Sequence, residues 1–282
     1  MALKKYGILA YPAGHSLSPA MHNAAFKAAG IDAKYEVCEI KPEDLDVFMN
    51  KVRGGAYAGL SVSLPYKEAV MGYLDGITRD AKEIGAVNTI LVEDGKLRGA
   101  NTDWIGALEA FKERVPGEKG LRGKNVVILG AGGSARAIAY ALLKEEAKVV
   151  VLNRTMDKAQ RIADDFARIF GDGKIRYSVL EGIENFDPNI LVQATSIWIK
   201  EGLDARIIPP NYLRGLGERP IVMDIVYSPR ITPLIFEADE EDCTVITGDK
   251  MLLNQAVKQF ELWTGKKAPV EEMRAALMKG IS

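Results

Sequence analysis

The sequence predicts an α/β protein of two domains. Short β-rich runs alternate with helical patterns along the 282 residues, which is typical of mostly parallel sheets packed against helices. A polar, glycine-rich segment over residues 116–124 separates two such series, as expected of a loop that leads into a new folding unit. At roughly 100–200 residues per domain, the length also fits two domains.

In the first series, Ser18 and Pro19 are a suitable N-cap and first helical residue, so a helix is predicted from there to Ala29. A second helix is predicted near residues 43–52. The turn signal Asp94-Gly95 predicts a hairpin. Strands are predicted over residues 6–10, 35–40, 58–64, 88–92 and 97–101.

The second series begins with a short apolar run. Strands are predicted over residues 125–129, 148–152, 190–193, 221–225 and 244–247. Helices are predicted over residues 134–144, 155–170, 250–263 and 270–279.

The composition excludes several classes of function. The 37 Lys and Arg and 38 Asp and Glu residues give a net charge of −1, too little for the field that attracts nucleic acid or anionic membranes. No apolar run approaches the roughly 20 residues that span a bilayer, and no signal peptide is visible. Cys38 and Cys243, with two histidines, make no recognisable zinc site. We therefore expect a cytoplasmic protein with free, buried thiols and no metal centre.

A glycine loop follows the first predicted strand of the second series: Gly130-Ala131-Gly132-Gly133-Ser134-Ala135. The first glycine permits a tight turn, the second lets backbone N–H groups approach a pyrophosphate, and the helix N-terminus adds positive potential. Ala135 replaces the usual third glycine. A strand–helix turn can also be glycine-rich for steric reasons alone, but the strand–loop–helix–strand context favours a dinucleotide.

The end of the next predicted strand distinguishes between cofactors. An NAD site usually places an acidic residue there, whereas this chain has Asn153-Arg154-Thr155 and then Lys158. These two cations would suit a 2′-phosphate, so NADP is favoured. The alternative is an exposed cationic helix face, and Asp157 is a nearby charge of opposite sign.

Two polar groups of the first series are candidates for proton transfer. Lys67 follows a predicted strand, and Asp103 follows another and precedes a helix beginning near Trp104. A buried Lys beside an Asp can exchange a proton with an alcohol or ketone. The alternatives are a solvated lysine and an N-capping aspartate.

Near the first predicted helix, Ser16 and Ser18 would suit a carboxylate, with simple capping by Ser18 as the alternative. His15 and His22 are interpreted as structural or substrate-proximal residues, because neither has an obvious acidic or nucleophilic partner.

Eight groups of residues occur in a specific order: His15-Ser-Leu-Ser-Pro19 with His22-Asn23, Ser61-Val-Ser-Leu-Pro-Tyr-Lys67, Ala86-Val-Asn-Thr-Ile90, Gly99-Ala-Asn-Thr-Asp103, Gly130–Ala135, Asn153-Arg-Thr155, Asp224-Ile-Val-Tyr227 with Thr232-Pro-Leu234, and Gly248-Asp-Lys-Met251 with Gln255 and Trp263-Thr-Gly265. Together they resemble the shikimate dehydrogenase family over nearly the whole chain.

The resemblance implies an enzyme that reduces 3-dehydroshikimate to shikimate with NADPH, a step toward the aromatic amino acids. It also implies a substrate domain over residues 1–103 and 249–282, whose C-terminal helices return to it. A Rossmann-like NADP domain would cover residues 104–248. No macromolecular partner is implied beyond a second copy, so we expect a monomer or homodimer.

The resemblance assigns roles to individual residues. Lys67 and Asp103 would be the catalytic pair. The substrate would be bound by Ser16, Ser18, Ser63, Asn88, Tyr227 and Gln255, with Asp103 also contacting its ring. The cofactor would be bound by Gly130, Ala131, Gly132, Gly133, Ser134, Ala135, Asn153, Arg154, Thr155, Lys158, Gly248 and Met251.

Three departures from the family pattern bear on specificity. Ser61 and Ser63 occupy positions that usually carry Asn and Thr, and Trp198, five residues after Gln193, occupies a usual glycine position. A site that hydrogen-bonds a hydroxyl discriminates strongly between substrates. A dehydrogenase for quinate or a related cyclic hydroxy acid is therefore one alternative. A nicotinamide-binding sensor without catalysis is another, although the presence of both Lys67 and Asp103 disfavours it.

Overall fold

The computed structural model describes residues 3–14, 16–115, 117, 120–197, 202 and 205–281. His15 and Trp198, for which the sequence makes predictions, lie outside the described residues. The chain forms two compact units, one of Met1–Asp103 with Leu253–Gly280 and the other built on Trp104–Leu252.

Helices and strands alternate through both units. The strands are β1 (Lys4–Ala10), β2 (Ala33–Glu39), β3 (Gly59–Val62), β4 (Gly76–Ile77), β5 (Thr89–Glu93), β6 (Lys96–Ala100), β7 (Asn125–Leu129), β8 (Lys148–Asn153), β9 (Ile175–Val179), β10 (Ile190–Gln193), β11 (Ile221–Asp224) and β12 (Thr244–Ile246). The α-helices are α1 (Ser18–Ala28), α2 (Leu45–Lys51), α3 (Arg79–Ile84), α4 (Asp103–Lys112), α5 (Gly133–Lys144), α6 (Met156–Phe170), α7 (Tyr212–Gly215), α8 (Pro233–Glu240), α9 (Gly248–Thr264) and α10 (Val270–Gly280).

The first unit contains a mixed sheet, with the order β2-β1-β3-β5-β6-β4 among the described residues. Strand β1 is parallel to β2 and β3, whereas β5 is antiparallel to β3 and β6. The predicted hairpin explains the antiparallel pairing of β5 with β6: Asp94 and Gly95 have φ values of +49° and +74°, as a two-residue type I′ turn requires.

The second unit contains a parallel sheet in the order β12-β11-β10-β7-β8-β9 over the described strands. Read from β9, this order is that of a dinucleotide-binding Rossmann sheet. Its ladders hold apolar runs such as Val126–Leu129, each at most 2% exposed, since a parallel sheet is covered on both faces. The predicted fold class of two α/β domains with a Rossmann-like second part is confirmed.

Several local predictions need correction. Ser18 is not the N-cap of α1 but its first residue; Leu17 is at the N-cap position, and the backbone N–H of Ser18 donates to Ser16 Oγ at 3.3 Å. Helix α8 is absent from the predicted elements, although Thr232 caps it by accepting from the N–H of Ile235 at 3.3 Å. The thiols of Cys38 and Cys243 are free and buried, as predicted. Among the described residues, we find no helix with the length and apolar character that crossing a membrane requires.

Candidate active site

The two predicted proton-transfer residues meet in a buried ion pair. Lys67 lies just past β3 and Asp103 begins α4, yet Lys67 Nζ lies 2.6 Å from Asp103 Oδ2. Their side chains are 11% and 7% exposed. Because both charges are largely removed from water, the pair is stable only where its geometry and further hydrogen bonds are favourable. Neither the solvated-lysine nor the N-cap interpretation therefore accounts for these residues.

Asn88 supplies one of those further hydrogen bonds. It lies immediately before β5, is 1% exposed, and its Nδ2 donates to Asp103 Oδ1 at 2.8 Å. The same nitrogen donates to Thr102 Oγ1 at 2.9 Å and approaches Gln255 Oε1 at 3.3 Å. Helix α9, which carries Gln255, thus brings a second predicted ring-binding amide to the ion pair.

The backbone at Asp103 is held by Asn101. The side chain of Asn101 accepts from the N–H of Asp103 at 2.9 Å and donates to Ala86 O at 2.9 Å. An Asn that accepts from the backbone two residues on forms an Asx turn, which here turns β6 into α4. The turn points the Asp103 carboxylate toward Lys67.

The three predicted substrate serines lie at two places: Ser63 follows the end of β3, and Ser16 and Ser18 lie at the start of α1. Ser18 is buried, whereas Ser16 and Ser63 are half-buried. The N–H of Ser63 donates to Leu9 O at 2.9 Å, which extends the β1–β3 pairing beyond the strand. Tyr227, predicted to lie near the substrate, is half-buried after β11 in the second unit.

His22 is a core residue. It is fully buried in α1, stacked on Tyr35 with ring centroids 4.6 Å apart and packed against Trp263 at 5.1 Å. Burial lowers the pKa of His22 to about 3, opposed only in part by the side chain of Gln259. The imidazole is therefore neutral at physiological pH and is not a general acid or base.

Ser61, which departs from the usual Asn, has both its hydrogen-bonding roles taken. Its Oγ accepts from Tyr35 OH at 2.7 Å and donates to Gln259 Oε1 at 2.8 Å. Sequence reasoning missed Tyr35 and Gln259. The signal for Gln259 was its place one helical turn after Gln255, because residues four apart share a helix face.

The glycine loop lies between β7 and α5 in the second unit. Gly130 has φ +111°, and a Cβ there would lie 2.8 Å from Ala194 O, so the backbone requires glycine. Gly132 is the N-cap residue of α5, without a side-chain capping bond, and a Cβ on it would meet nothing within 4 Å. The loop therefore leaves open space in front of the N–H groups that begin a 12-residue helix.

Strand β8 ends at Asn153, whose Nδ2 donates to Thr155 O at 2.8 Å and shapes the turn into α6. Arg154, Thr155 and Lys158 are exposed there. The two cations lie where a Rossmann sheet binds the adenosine ribose, one strand from the glycine loop. The site thus fits a 2′-phosphate.

Gly248 begins α9, shortly after strand β12 ends at Ile246. A Cβ at this position would clash with the carbonyl groups of Ile225 and Val226, so only glycine permits the close approach. Met251, one turn later, is 6% exposed. Both residues belong to the second unit, as the glycine loop does.

Three family models match the chain in order. The substrate-binding domain of shikimate dehydrogenase matches residues 8–90, the shikimate/quinate 5-dehydrogenase model matches residues 112–197, and the C-terminal domain of shikimate 5′-dehydrogenase matches residues 250–278. The matched ranges fall in both units described above.

Individual relatives match over almost their full length. A shikimate dehydrogenase (NADP(+)) from Pyrococcus furiosus is 44% identical, with 96% of this chain and 94% of that protein covered. The structure of the Thermus thermophilus shikimate 5-dehydrogenase with NADP(H) and shikimate has a TM-score of 0.86 at 35% identity, covering 99% of this chain and 100% of that one. Quinate dehydrogenase from Corynebacterium glutamicum, in complex with NAD, has a TM-score of 0.87 at 28% identity, covering 98% and 99%.

Proposed function

The chain belongs to the shikimate dehydrogenase family, and from that premise we propose that it catalyses the reversible, NADP-dependent reduction of 3-dehydroshikimate to shikimate. The observation that carries the proposal is the buried Lys67–Asp103 pair at 2.6 Å. Asn88 and Gln255 lie beside it. These are the positions at which the resemblance implies proton transfer and recognition of the ring.

Reduction of the ring ketone adds one hydride to carbon and one proton to oxygen, and bound NADPH supplies the hydride. Lys67 presents an ammonium with three N–H groups, one of which donates to Asp103. The ammonium donates to the ketone oxygen, Asp103 holds the ammonium in place, and the pair supplies the proton of the new hydroxyl. In the reverse direction the same pair accepts the proton of the hydroxyl as hydride leaves the carbon.

Hydrogen-bonding side chains bind the rest of the substrate. Ser16 and Ser18, at the beginning of the 11-residue helix α1, bind the carboxylate with help from the helix N-terminus. Asn88 and Gln255 bind ring hydroxyls. Ser63 and Tyr227 complete the set of substrate-binding residues that we propose.

The second unit fits NADP. The open space at Gly132 admits a pyrophosphate against the first N–H groups of α5, with Gly130, Ala131, Gly133, Ser134 and Ala135 forming the cradle. Asn153, Arg154, Thr155 and Lys158 bind the adenosine end, where the two cations favour the 2′-phosphate. Gly248 and Met251 adjoin the nicotinamide. We therefore assign residues 104–248, together with Met251 at the start of α9, to NADP, and residues 1–103 with the remainder of 249–282 to the substrate.

The compartment and assembly state form part of the proposal. Both cysteines are free thiols, which fits a reducing compartment, and we assign the protein to the cytoplasm. A monomer or a homodimer is expected, and light scattering of the purified protein would distinguish them.

Steady-state assays with shikimate and quinate, each with NADP and NAD, test the proposal. We expect shikimate with NADP to have the highest kcat/KM. Because Ser61 replaces the usual Asn, an enzyme for quinate or a related cyclic hydroxy acid is the second candidate. A preference for shikimate below about tenfold, or roughly 1.4 kcal/mol in transition-state binding, would favour that candidate.

A Lys67→Met variant tests the residues. Removing the lysine of the proton-transfer pair is expected to lower kcat by about 10²–10⁴-fold. The control is Lys258→Met, which also removes a lysine from an ion pair, here with half-buried Glu261 at 3.2 Å on α9, and should retain activity. Turnover by the Lys67 variant at the rate of the unsubstituted protein would refute the assigned roles, and a wild-type protein that binds NADP without turnover would favour the sensor.

A further inference from the structure

A chain of buried polar side chains lies behind the catalytic pair, and the proposed mechanism does not use it. Its members are Tyr35, Ser61, Gln259 and Thr89, each at most 5% exposed. They come from β2, β3, α9 and β5. Buried hydroxyls and amides cost free energy unless they are hydrogen-bonded, so the arrangement of these bonds is informative.

The direction of each hydrogen bond around Gln259 follows from its partners. One end of its amide faces Asn88 O at 3.0 Å, and a backbone carbonyl can only accept, so that end is Nε2. The other end, Oε1, accepts from Ser61 Oγ at 2.8 Å. Ser61 in turn accepts from Tyr35 OH at 2.7 Å. The chain therefore has a single consistent direction, from the phenol to the amide nitrogen.

Gln259 also determines how Thr89 is oriented. Its Nε2 lies 3.1 Å from Thr89 Oγ1, which therefore accepts there and directs its own proton to Asn88 Oδ1, 2.7 Å away. The N–H of Thr102 donates to the same Oδ1 at 2.7 Å. Two groups thus donate to one end of the Asn88 side-chain amide, so that end is the oxygen Oδ1. The other end is therefore Nδ2, which donates to Asp103 Oδ1.

We propose that Gln259 is a positioning residue for the catalytic pair: it holds Asn88, through the carbonyl of Asn88 and the hydroxyl of Thr89, so that the amide of Asn88 orients the Asp103 carboxylate toward Lys67. Ser61 completes this chain by satisfying Gln259 Oε1, a role that its short hydroxyl can perform. The inference rests on the proposed function only in assigning chemistry to Lys67 and Asp103.

Gln259→Met and Thr89→Val test the inference. Methionine keeps the length of glutamine without its hydrogen bonds, and valine keeps the shape of threonine and suits a strand. Because small displacements of reacting groups are costly, we expect kcat to fall about tenfold in each variant while KM rises less than about threefold. A kcat within twofold of the wild type in both variants would overturn the inference.

The double variant separates positioning from independent packing defects. Gln259 orients the Thr89 hydroxyl, and that hydroxyl donates to Asn88 Oδ1. Because the two residues act in series on Asn88, their effects on kcat should be non-additive, with a combined loss close to about tenfold instead of about a hundredfold. A combined loss equal to the product of the single losses would contradict a shared pathway.

Trp263→Phe is the matched control. It removes another hydrogen bond from α9 to β5, from Trp263 Nε1 to Ile90 O at 3.0 Å, which touches neither Asn88 nor Thr89. We expect kcat to stay within about twofold, although the variant loses stability. If it lowers kcat as strongly as Gln259→Met, docking of the helix explains both results and the inference fails. All variants are compared with the wild type on the cyclic hydroxy acid that the wild type oxidises fastest, so a wrong substrate assignment leaves this test intact.

Discussion

Mild acid should destabilise the protein through His22. The imidazole is fully buried against Tyr35, Trp263 and Phe26, and burial lowers its pKa to about 3 from an ordinary value of 6.5. Between these two values the unfolded chain binds a proton that the folded protein does not. Stability is therefore complete above pH 6.5 and decreases as the pH falls toward 3.

The size of the effect follows from the two pKa values. A pH of 5 is 1.5 units below the pKa of His22 in the unfolded chain. Proton binding to the unfolded chain therefore lowers the free energy of unfolding by about 2 kcal/mol relative to pH 8. Carboxylates elsewhere also respond to pH, so the wild type is compared with His22→Leu by urea unfolding at both pH values. The wild type should lose about 2 kcal/mol more than the variant between pH 8 and pH 5.

Proton NMR provides an independent measurement, since the chain has only two histidines, His15 and His22, and a His15→Asn variant assigns their signals. The His22 ring signals should not shift between pH 8 and pH 5. A midpoint near 6.5 for His22, or an equal loss of stability in the wild type and the His22→Leu variant, would refute the reasoning.

Three further predictions concern the catalytic pair and the proposed NADP-binding residues. Asp103→Asn should lower kcat by about 10²–10⁴-fold and destabilise the fold by about 3–5 kcal/mol, because it leaves a buried ammonium without its countercharge; steady-state assays and urea unfolding measure the two effects. Replacing Arg154 and Lys158 together by Ser should weaken NADP binding by about 10–100-fold by calorimetry and leave NAD binding unchanged, because only NADP carries the 2′-phosphate. Gly130→Ala should lower stability by about 1–3 kcal/mol, given φ +111° and a Cβ 2.8 Å from Ala194 O; an unchanged thermal midpoint would contradict it.

The strands predicted correctly are those in which the apolar pattern of the sequence matches the burial of the strand in the fold. Strands β7 and β10 occupy the predicted residues 125–129 and 190–193, because apolar residues in a parallel sheet are buried on both faces and form continuous runs. Strand β9, Ile175–Val179, was missed. It lies at the sheet edge with Tyr177 and Val179 each 37% exposed, so no apolar run marks it.

The ends of helices were less predictable, because neighbouring polar groups compete for the same backbone N–H donors. The first turn of α1 has the expected Ser and Pro, but Ser16 accepts the N–H of Ser18, and the helix therefore begins one residue earlier than a Ser18 cap would allow. Gln255 entered the candidate site through the family resemblance, whereas Gln259, which is also buried on the same helix, did not.

By itself, the sequence determined the α/β class, the positions of the main strands along the chain and the glycine loop, since these depend on residues close together. It also identified the family, through eight short groups in a fixed order. Only the tertiary structure decided that Lys67 and Asp103, 36 positions apart, form an ion pair, and that Ser61 meets Gln259, 198 positions later. Spacing left His22 open as a structural or substrate-proximal residue, and packing made it a neutral core residue. Such contacts depend on which strands pair and where α9 packs, and each hydrogen bond requires a donor and an acceptor within about 3 Å, a condition that no local propensity encodes.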